Sequence, residues 1–278
     1  MSGARERPTG VRDAFDLTGR AALVTGAGSV TEGIGNGRAA AVLLAEAGAR
    51  VGLLDLDAEA AQETLRLVEE RGGEGIVVPA DVADPVATRS AVEKVAAAYG
   101  SVDILVNNVG IVGPAGPATE IDPEAWDAAM RVNVTSMVTM ARYCVPLMRQ
   151  RGGGAIVNVS STAGLGGGYP SLLYPTSKGA IISLTRSMAA HHGPEGIRVN
   201  AVAPGQVFTP RIAARGASQE MRDARRRVAP LRTEGDGWDV GYAILYLASP
   251  AARWVTGVVL PVDAGLTAAF PLQSPPSE

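Results

Sequence analysis

The sequence places a tyrosine and a lysine four residues apart, at Tyr174 and Lys178, in the stretch YPTSK. On a helix this spacing puts both side chains on the same face. A free phenol has a pKa of about 10 and is a weak base at neutral pH, but a neighbouring ammonium group stabilises the phenolate and lowers that pKa. The pair therefore predicts proton exchange with an alcohol or a carbonyl group.

Two further observations support this chemistry. Only Lys94 and Lys178 are lysine among the 25 basic residues, which indicates that Lys178 does something an arginine cannot. Ser161 follows a predicted strand, and its hydroxyl could hold a substrate oxygen against the tyrosine. The alternatives at this stage are a surface tyrosine beside a solvated lysine, and an ordinary serine at a strand end.

Short apolar runs alternate with longer helical stretches along the chain. Fully apolar strands separated by helices predict a parallel sheet covered on both faces, hence a Rossmann-type, doubly wound α/β fold. Ligands of such folds bind at the carboxyl ends of the strands. The predicted strands are AALVTG, RVGLLDLD, GIVVPADV, VDILVNNVG, GAIVNVSS, IRVNAVAPG and GVVLPVD, and the predicted helices after the first five strands span 37–48, 58–71, 85–99, 123–151 and 174–193.

Composition and charge narrow the classes of function. The net charge of −3 and the pI of about 5.6 argue against nucleic acid or an anionic membrane as the main partner. The single cysteine, Cys144, allows no intrachain disulfide, and the chain shows no secretory signal or apolar run long enough to span a membrane. These observations predict a cytoplasmic protein. His191 and His192 lack further candidate ligands nearby, so no metal site is predicted.

The stretch TGAGSVTEGIGNG, which starts at Thr25, lies between the first predicted strand and the first predicted helix. Glycines at this place indicate a turn whose backbone N–H groups face a pyrophosphate. The fingerprint G-x-G-x-x-G/A fits at Gly35, Gly37 and Ala40, but it does not fit from Gly26. An ordinary glycine-rich loop is the alternative.

The second predicted strand ends at Asp55. A carboxylate at this position can accept hydrogen bonds from both ribose hydroxyls of an adenosine, and it repels a 2′-phosphate. No basic residue lies between Gly26 and Gly37 to bind such a phosphate, and Glu32 adds a second negative charge. NAD is therefore predicted over NADP; the alternative is a solvated acid at a strand end.

Together these motifs resemble the short-chain dehydrogenase/reductase family from Leu17 to about Ala268. The resemblance implies a catalytic tetrad of Asn133, Ser161, Tyr174 and Lys178, in which Lys178 also bonds the nicotinamide ribose and Asn133 holds a water that links Lys178 to solvent. The motifs that carry it are TGAGS…GIG, ADV, NNVG, VN, SS, YPTSK, PGQVFT and VDAG.

The resemblance also implies the binding site for NAD. The family pattern T-G-x-x-x-G-x-G is met from Gly26 with three extra residues, 30–32, before Gly33, so the turn is enlarged. Divergent enoyl reductases of the family lengthen this loop too, but they space their tyrosine and lysine more widely. The predicted cofactor-binding residues are Gly26, Ser29, Gly33, Ile34, Gly35, Asp55, Leu56, Asp81, Val82, Asn108, Val109, Gly110, Tyr174, Lys178, Pro204, Gly205, Val207 and Thr209.

The segment of about 209–232 corresponds to the family's mobile substrate lid. It holds seven arginines, for which a solvated helix face is favoured over an anionic substrate. The other predicted pocket residues carry no fixed charge, which favours a largely uncharged secondary alcohol or ketone. The predicted substrate pocket consists of Ser161, Leu165, Gly166, Leu173, Gln206 and Phe208.

The sequence thus predicts one catalytic domain over residues 17–268, with a flexible extension over 1–16 and a flexible tail over 269–278. The predicted activity is NAD-dependent hydride transfer between a secondary alcohol and a ketone. Two alternatives remain: an NADP-dependent reductase of 3-oxoacyl substrates, and a catalytically silent NAD-binding regulator. The family resemblance further implies a homotetramer that pairs through the helices after the fourth and fifth strands and through the last strand.

Overall fold

A seven-stranded parallel sheet forms the centre of the protein. The computed structural model describes residues 8–269. The strand order is β3-β2-β1-β4-β5-β6-β7, and every neighbouring pair is parallel, which confirms the doubly wound α/β fold in a single domain. The strands are β1 (Ala21–Thr25), β2 (Arg50–Asp55), β3 (Glu74–Pro79), β4 (Ile104–Asn107), β5 (Gly154–Val159), β6 (Ile197–Pro204) and β7 (Val259–Val262).

Helices connect the strands and cover both faces of the sheet. Most lie close to their predicted positions, because capping residues mark their starts: Asp57, Asp84 and Asp122 each accept backbone N–H groups from the first turn that follows. The helices are α1 (Val11–Phe15), α2 (Asn36–Glu46), α3 (Ala58–Glu70), α4 (Pro85–Tyr99), α5 (Pro123–Met130), α6 (Ser136–Gln150), α7 (Leu173–His192), α8 (Pro210–Ala213), α9 (Gln219–Arg227) and α10 (Gly237–Ala248).

The core consists of two apolar layers, one on each side of the sheet. On one side, α2, α3 and α10 pack against strand residues such as Val24 and Val106. On the other, α4, α6 and α7 pack against the alternate residues, such as Leu23 and Leu105. Because both faces of each central strand are buried, the strands are mostly apolar rather than alternating between apolar and polar residues.

The order in which successive strands are added to the sheet reverses between β1 and β4. These two strands are neighbours in the sheet, although two strands separate them in sequence. The loops that follow these two strands diverge and leave a crevice at the carboxyl edge of the sheet. Asn108, directly after β4, bridges this point: its Nδ2 donates to the carbonyl oxygens of Thr25 (3.2 Å) and Gly26 (3.0 Å).

Two elements differ from the sequence prediction. The predicted helix over 123–151 is interrupted by a π-helical turn at Arg131–Thr135, for which the sequence gives no signal. Within the predicted flexible extension, Val11–Phe15 form a short helix. The remainder of that extension, 1–7, and residues 270–278 of the predicted tail lie outside the described residues. No helix in the described part of the chain has the length and apolar character that crossing a membrane requires.

Candidate active site

A cleft with a volume of about 1210 Å³ runs along the carboxyl edge of the sheet. One end is bounded by the turn after β1 and by Asp55 at the end of β2, and the other by Ser161, Tyr174 and the segment after β6. Its volume exceeds the range of roughly 300–1,000 Å³ that is typical of sites for a single small ligand. The cleft has room for a dinucleotide together with a second small molecule.

Helix α7 carries both Tyr174 and Lys178 and is fastened to the sheet by buried polar contacts. The Ser160 hydroxyl donates to the Lys178 carbonyl oxygen at 2.7 Å. Further along, Asn158 Nδ2 on β5 donates to the Thr185 hydroxyl at 3.0 Å. These bonds fix the position of α7 relative to the end of β5, where Ser161 lies. The structure therefore brings the predicted serine, tyrosine and lysine to one end of the cleft.

Lys178 is almost completely buried, with 3% of its surface exposed. Its Nζ donates to the Val159 carbonyl oxygen at 3.0 Å and lies 5.7 Å from the centre of the Tyr174 ring. Burial, together with the positive charge of Arg211, lowers the pKa of the ammonium group to about 8. A lysine with this pKa exchanges its proton near neutral pH.

Tyr174 lines the cleft, and its ring stacks against that of Tyr169 with 4.9 Å between centroids. Burial raises the pKa of the phenol. A hydrogen bond with the Ser161 hydroxyl and the positive charges of Arg211 and Arg215 oppose this rise. The proximity of Tyr169, which the sequence did not single out, adds to it.

Asn133, the fourth predicted catalytic residue, lies behind the cleft and is fully buried. Its amide makes paired hydrogen bonds with the backbone of Ile111, at 2.8 and 2.9 Å, and donates to the Ser177 hydroxyl at 3.0 Å. No hydrogen bond joins it to Lys178 within the described structure. The π-helical turn places Asn133 there, and its visible contacts hold the loop after β4 against α7.

The glycine turn packs closely where β1 ends and α2 begins. Helix α2 begins directly after Gly35, and a Cβ at Gly37 would lie only 2.0 Å from the Gly26 carbonyl oxygen. Glycine is therefore required at 37, where α2 lies against the end of β1.

Gly33 and Ile34, which were predicted to bind the cofactor, lie outside the cleft lining. The Ile34 carbonyl packs against the start of α10, where a Cβ at Gly237 would come within 2.5 Å of its oxygen. The buried Arg38 helps to hold the enlarged loop in place, because its Nη1 donates a hydrogen bond to the Gly33 carbonyl oxygen at 2.7 Å. A Cβ at Gly33 would lie 3.2 Å from Pro210 at the start of α8, so the loop lies beside the predicted lid.

Asp55 lies at the end of the cleft opposite Tyr174. Its Oδ2 accepts the Gly28 N–H at 2.8 Å, and its Oδ1 accepts the Asp57 N–H at 3.0 Å. The carboxylate thus joins the end of β2 to the glycine turn. A Cβ at Gly28 would lie 2.7 Å from the Cβ of Ala60, so the turn packs closely on α3.

Most of the remaining predicted cofactor-binding and pocket residues line the cleft, and two do not. Leu173 does not line the cleft, because it lies on the buried side of α7 and is fully enclosed. Phe208 does not line it either; its ring lies 4.1 Å from the Arg222 guanidinium carbon. The predicted residues that do line the cleft, besides those already placed, are Gly26, Ser29, Leu56, Asp81, Val82, Asn108, Val109, Gly110, Leu165, Gly166, Pro204, Gly205, Gln206, Val207 and Thr209.

The expectation of a pocket without fixed charge is wrong. Arg211, Arg215 and Arg225 from the predicted lid line the cleft near its catalytic end. The arginine-rich composition of this segment was the available signal, but composition alone does not show which side chains face inward. Tyr169, Ile111 and further apolar residues complete the lining.

The other end of the cleft suits the pyrophosphate and adenosine of a nicotinamide dinucleotide. Gly35 at the N-cap of α2 has no side chain, so the first N–H groups of this helix have no side-chain cap. The Oδ1 atom of Asn36, beside them in the cleft, is buried and has no partner among residues 8–269. Together with Asp55, these features fit a bound dinucleotide better than an empty loop. Among the described residues, no group of three His, Cys, Asp or Glu side chains could hold a metal ion.

Comparisons with known proteins agree with this arrangement. Residues 28–267 match the family described as enoyl-(acyl carrier protein) reductase. Cis-4-hydroxycyclohexanecarboxylate dehydrogenase of Sinomonas cyclohexanicum is 39% identical over 90% of this chain and 97% of its own length.

Two solved structures extend the comparison. A gluconate 5-dehydrogenase from Burkholderia cenocepacia, in complex with NADP and tartrate, is 34% identical and superposes with a TM-score of 0.85, covering 94% of this chain and 100% of its own. A 7α-hydroxysteroid dehydrogenase with NADH and 7-oxoglycochenodeoxycholic acid is 32% identical with a TM-score of 0.85, over 91% of this chain and 96% of its own. Together with the fold, these matches show that the chain belongs to the short-chain dehydrogenase/reductase family.

Proposed function

We propose that this protein is an NAD-dependent oxidoreductase that interconverts a secondary alcohol and a ketone. The observation that carries the proposal is the placement of Ser161, Tyr174 and Lys178 at one end of a cleft whose other end holds the glycine turn and Asp55. The relatives named above act on a cyclohexane alcohol and a steroid alcohol, which are secondary alcohols on rings.

The bound cofactor would supply or accept the hydride; the chain's own residues handle the proton. The Tyr174 phenol exchanges a proton with the substrate oxygen, and the Ser161 hydroxyl donates a hydrogen bond to that oxygen. Lys178 stabilises the phenolate by its charge and, with a pKa of about 8, passes protons on. Asn133 supports this end of the cleft by holding the backbone of Ile111.

Asp55 favours NAD over NADP. Two unit charges about 5 Å apart, at an effective dielectric constant of 20, repel by roughly 3 kcal/mol, which corresponds to more than about a hundredfold in affinity. None of the cleft arginines lies beside Asp55 at the end of β2, where a 2′-phosphate would need a cation. The NADP-dependent reductase of 3-oxoacyl substrates is the less favoured alternative for this reason.

A screen of cofactor reduction tests the proposal. The purified protein is assayed with NAD and with NADP against cyclic, aromatic and open-chain secondary alcohols, and reduced nicotinamide is followed by its absorbance. We expect turnover with NAD, and its loss in Tyr174→Phe. NAD binding without turnover of any alcohol, and without reduction of the matching ketones by NADH, would instead favour a catalytically silent NAD-binding protein.

The assembly we propose is a homotetramer, in the cytoplasm. Strand β7 is at the edge of the sheet, and large apolar side chains near it are exposed: Trp254 by 90% and Tyr242 by 59%. Val138 on α6 is exposed by 48%. Light scattering at micromolar concentration tests the assembly, and a monomer mass would contradict it.

A further inference from the structure

Three arginines of the segment after β6 line the cleft and form no ion pair within the described residues. Arg211 belongs to α8, Arg215 follows that helix and Arg225 belongs to α9. None of the three has a carboxylate oxygen within 4.0 Å of its guanidinium nitrogens among residues 8–269. Guanidinium groups lining a cleft without carboxylates are ready to bind an anion.

The neighbouring arginines of the same segment behave differently. Arg222 forms an ion pair with Glu234, and Arg226 forms ion pairs with Asp223 and Glu234. Neither lines the cleft. The two ion-paired arginines of the segment therefore lie outside the cleft, and none of the three that line the cleft forms an ion pair within the described residues.

The hydrogen bonds of the cleft arginines go to backbone carbonyl oxygens, and Glu234 acts on Arg225 through its charge without forming an ion pair with it. Arg211 Nη1 donates to the Gly110 carbonyl oxygen at 2.6 Å, and Arg225 Nη2 donates to the Val207 carbonyl oxygen at 3.2 Å. The Nε of Arg225 is buried and has no hydrogen-bond partner in the described structure. Carbonyl oxygens orient these guanidiniums but do not neutralise them, and a buried unpaired N–H is costly unless a ligand accepts it.

Charge is distributed unequally along the cleft. The acidic residues that line it, Asp55, Asp57 and Asp81, follow β2 and β3, at the end predicted to hold adenosine. At the opposite end the positive charges of Arg211 and Arg215 act on Tyr174. An anion at that end meets three guanidiniums and no lining carboxylate.

The same end also offers an apolar surface. Leu165, Tyr169 and Ile212 line the cleft there, and Tyr169 stacks against Tyr174. This surface suits a hydrocarbon ring or chain between the reacting carbon and a charged terminus. The arrangement describes a molecule with an alcohol at one position and an anion several bonds away.

We propose that the substrate carries an oxyanion group, a carboxylate or a phosphate, which binds to Arg211, Arg215 and Arg225 while its alcohol or ketone oxygen lies against Tyr174. This inference rests on the proposed function and adds a substrate class to it. Arg215 contributes most directly to selectivity, because its guanidinium makes no hydrogen bond or ion pair within the described residues and is therefore free to bind.

Matched substrates test the charge requirement. Two carboxylates, 4-hydroxycyclohexanecarboxylate and 3-hydroxybutanoate, are each compared with their methyl ester, which keeps the carbon skeleton and removes the charge. Glycerol 3-phosphate is compared with glycerol in the same way, so that the carboxylate and phosphate forms are distinguished. We expect kcat/KM for the preferred acid to exceed that of its neutral counterpart by at least about tenfold.

Single substitutions then test the residues. Arg215→Gln and Arg225→Gln are expected to lower kcat/KM for the acid by at least about tenfold and for the neutral counterpart by less than about threefold. Arg227→Gln is the matched control, because Arg227 is an exposed residue of the same segment that does not line the cleft. It should change neither value. Equal losses for acid and neutral compound would overturn the inference.

Calorimetric binding to the NADH-loaded protein separates this inference from the proposed function. Binding of the acid that is weakened in Arg215→Gln supports the anion site even if no alcohol is oxidised. Oxidation of neutral alcohols without any preference for acids, or an absence of acid binding, overturns the anion site and leaves the dehydrogenase assignment standing. Weakened NAD affinity in Arg211→Gln, with acid binding unchanged, would contradict the role given to Arg211.

Discussion

The Asp55 carboxylate accepts the Gly28 N–H at 2.8 Å and so ties the end of β2 to the glycine turn after β1. The same side chain therefore has two tasks in the proposed function. It holds the turn in place, and it presents negative charge where a 2′-phosphate would lie. A substitution that keeps the hydrogen bond to the turn but removes the negative charge distinguishes the structural role of Asp55 from its role in cofactor choice.

Asp55→Asn keeps a hydrogen-bond acceptor and removes the charge, whereas Asp55→Ala removes both. We expect Asn to narrow the preference for NAD over NADP by about a hundredfold, because the repulsion of roughly 3 kcal/mol disappears. Ala should narrow it as well, but with weaker NAD binding, because the Gly28 N–H loses its acceptor. Titration of each variant with both nucleotides checks this. Equal use of NAD and NADP by the unaltered protein would contradict the assignment.

Lys178→Arg tests whether charge alone is enough at this position. The Nζ donates to the Val159 carbonyl and has little free space, since a Cβ at Gly110 would lie 3.1 Å from it. A guanidinium is wider and does not release a proton readily. We expect kcat/KM to fall by at least about a thousandfold, or roughly 4 kcal/mol of transition-state stabilisation.

The protein provides its own control for this substitution. Lys94, its other lysine, also donates to a strand carbonyl, that of Val77 at 3.1 Å, but on the exposed surface. Lys94→Arg should leave kcat/KM unchanged. If Lys178→Arg keeps more than about a tenth of the activity, another group must tune the tyrosine.

Tyr174→Phe removes the proton that the mechanism exchanges while keeping the ring. We expect a loss in kcat at least as large as that of Lys178→Arg, with NAD binding retained within a few-fold, because the glycine turn and Asp55 are far along the cleft. Steady-state kinetics and nucleotide titration check the two parts. Tyr242→Phe, at an exposed position on α10, serves as the control.

The buried ammonium of Lys178 should reduce the stability of the protein without nucleotide at neutral pH. Its pKa falls from an ordinary 10.5 to about 8, a difference of roughly 3 kcal/mol. Replacing it by methionine removes that penalty and sacrifices about 1 kcal/mol of hydrogen bonding to Val159. Lys178→Met should therefore be about 2 kcal/mol more stable than the parent at pH 7.

The pH dependence follows from the lowered pKa. Between pH 8 and 10.5 the unfolded chain binds more protons at Lys178 than the folded chain, so the stability of the parent rises with pH in this window. Below pH 8 both states are protonated and the penalty is complete. The advantage of Lys178→Met should thus shrink between pH 8 and 10, as measured by urea unfolding. If the difference in unfolding free energy between Lys178→Met and the parent did not change with pH, burial would not lower the pKa of Lys178.

The fold could be predicted from the sequence because its strands are buried on both faces. Runs such as those of β1 and β5 are buried along their whole length and mostly apolar, and aspartates mark the starts of α3, α4 and α5, so strand and helix positions are local properties. The spacing of Tyr174 and Lys178 is equally local. The sequence therefore predicts that these two side chains lie on one face of α7, as the structure has them at the cleft.

Errors arose where position depends on a contact between distant segments. The requirement for glycine at 37 comes from the close approach of α2 to the Gly26 carbonyl, which no local pattern reveals. Leu173 precedes Tyr174 directly, yet one step along a helix turns it into the core. Which arginines of the lid form ion pairs depends on their positions relative to Glu234 and Asp223, and only the folded chain defines these positions.

The π-helical turn at Arg131–Thr135 makes the site sensitive to the number of residues in this part of the chain. Such a turn holds one residue more than an α-helical turn and shifts the helix that follows by about 100° of rotation relative to the helix before it. The orientation of Asn133 therefore depends on how many residues the turn contains as well as on which they are. Deleting Val134 would let α5 and α6 join as one regular helix and would rotate Asn133 away from Ile111, although no catalytic side chain had been removed.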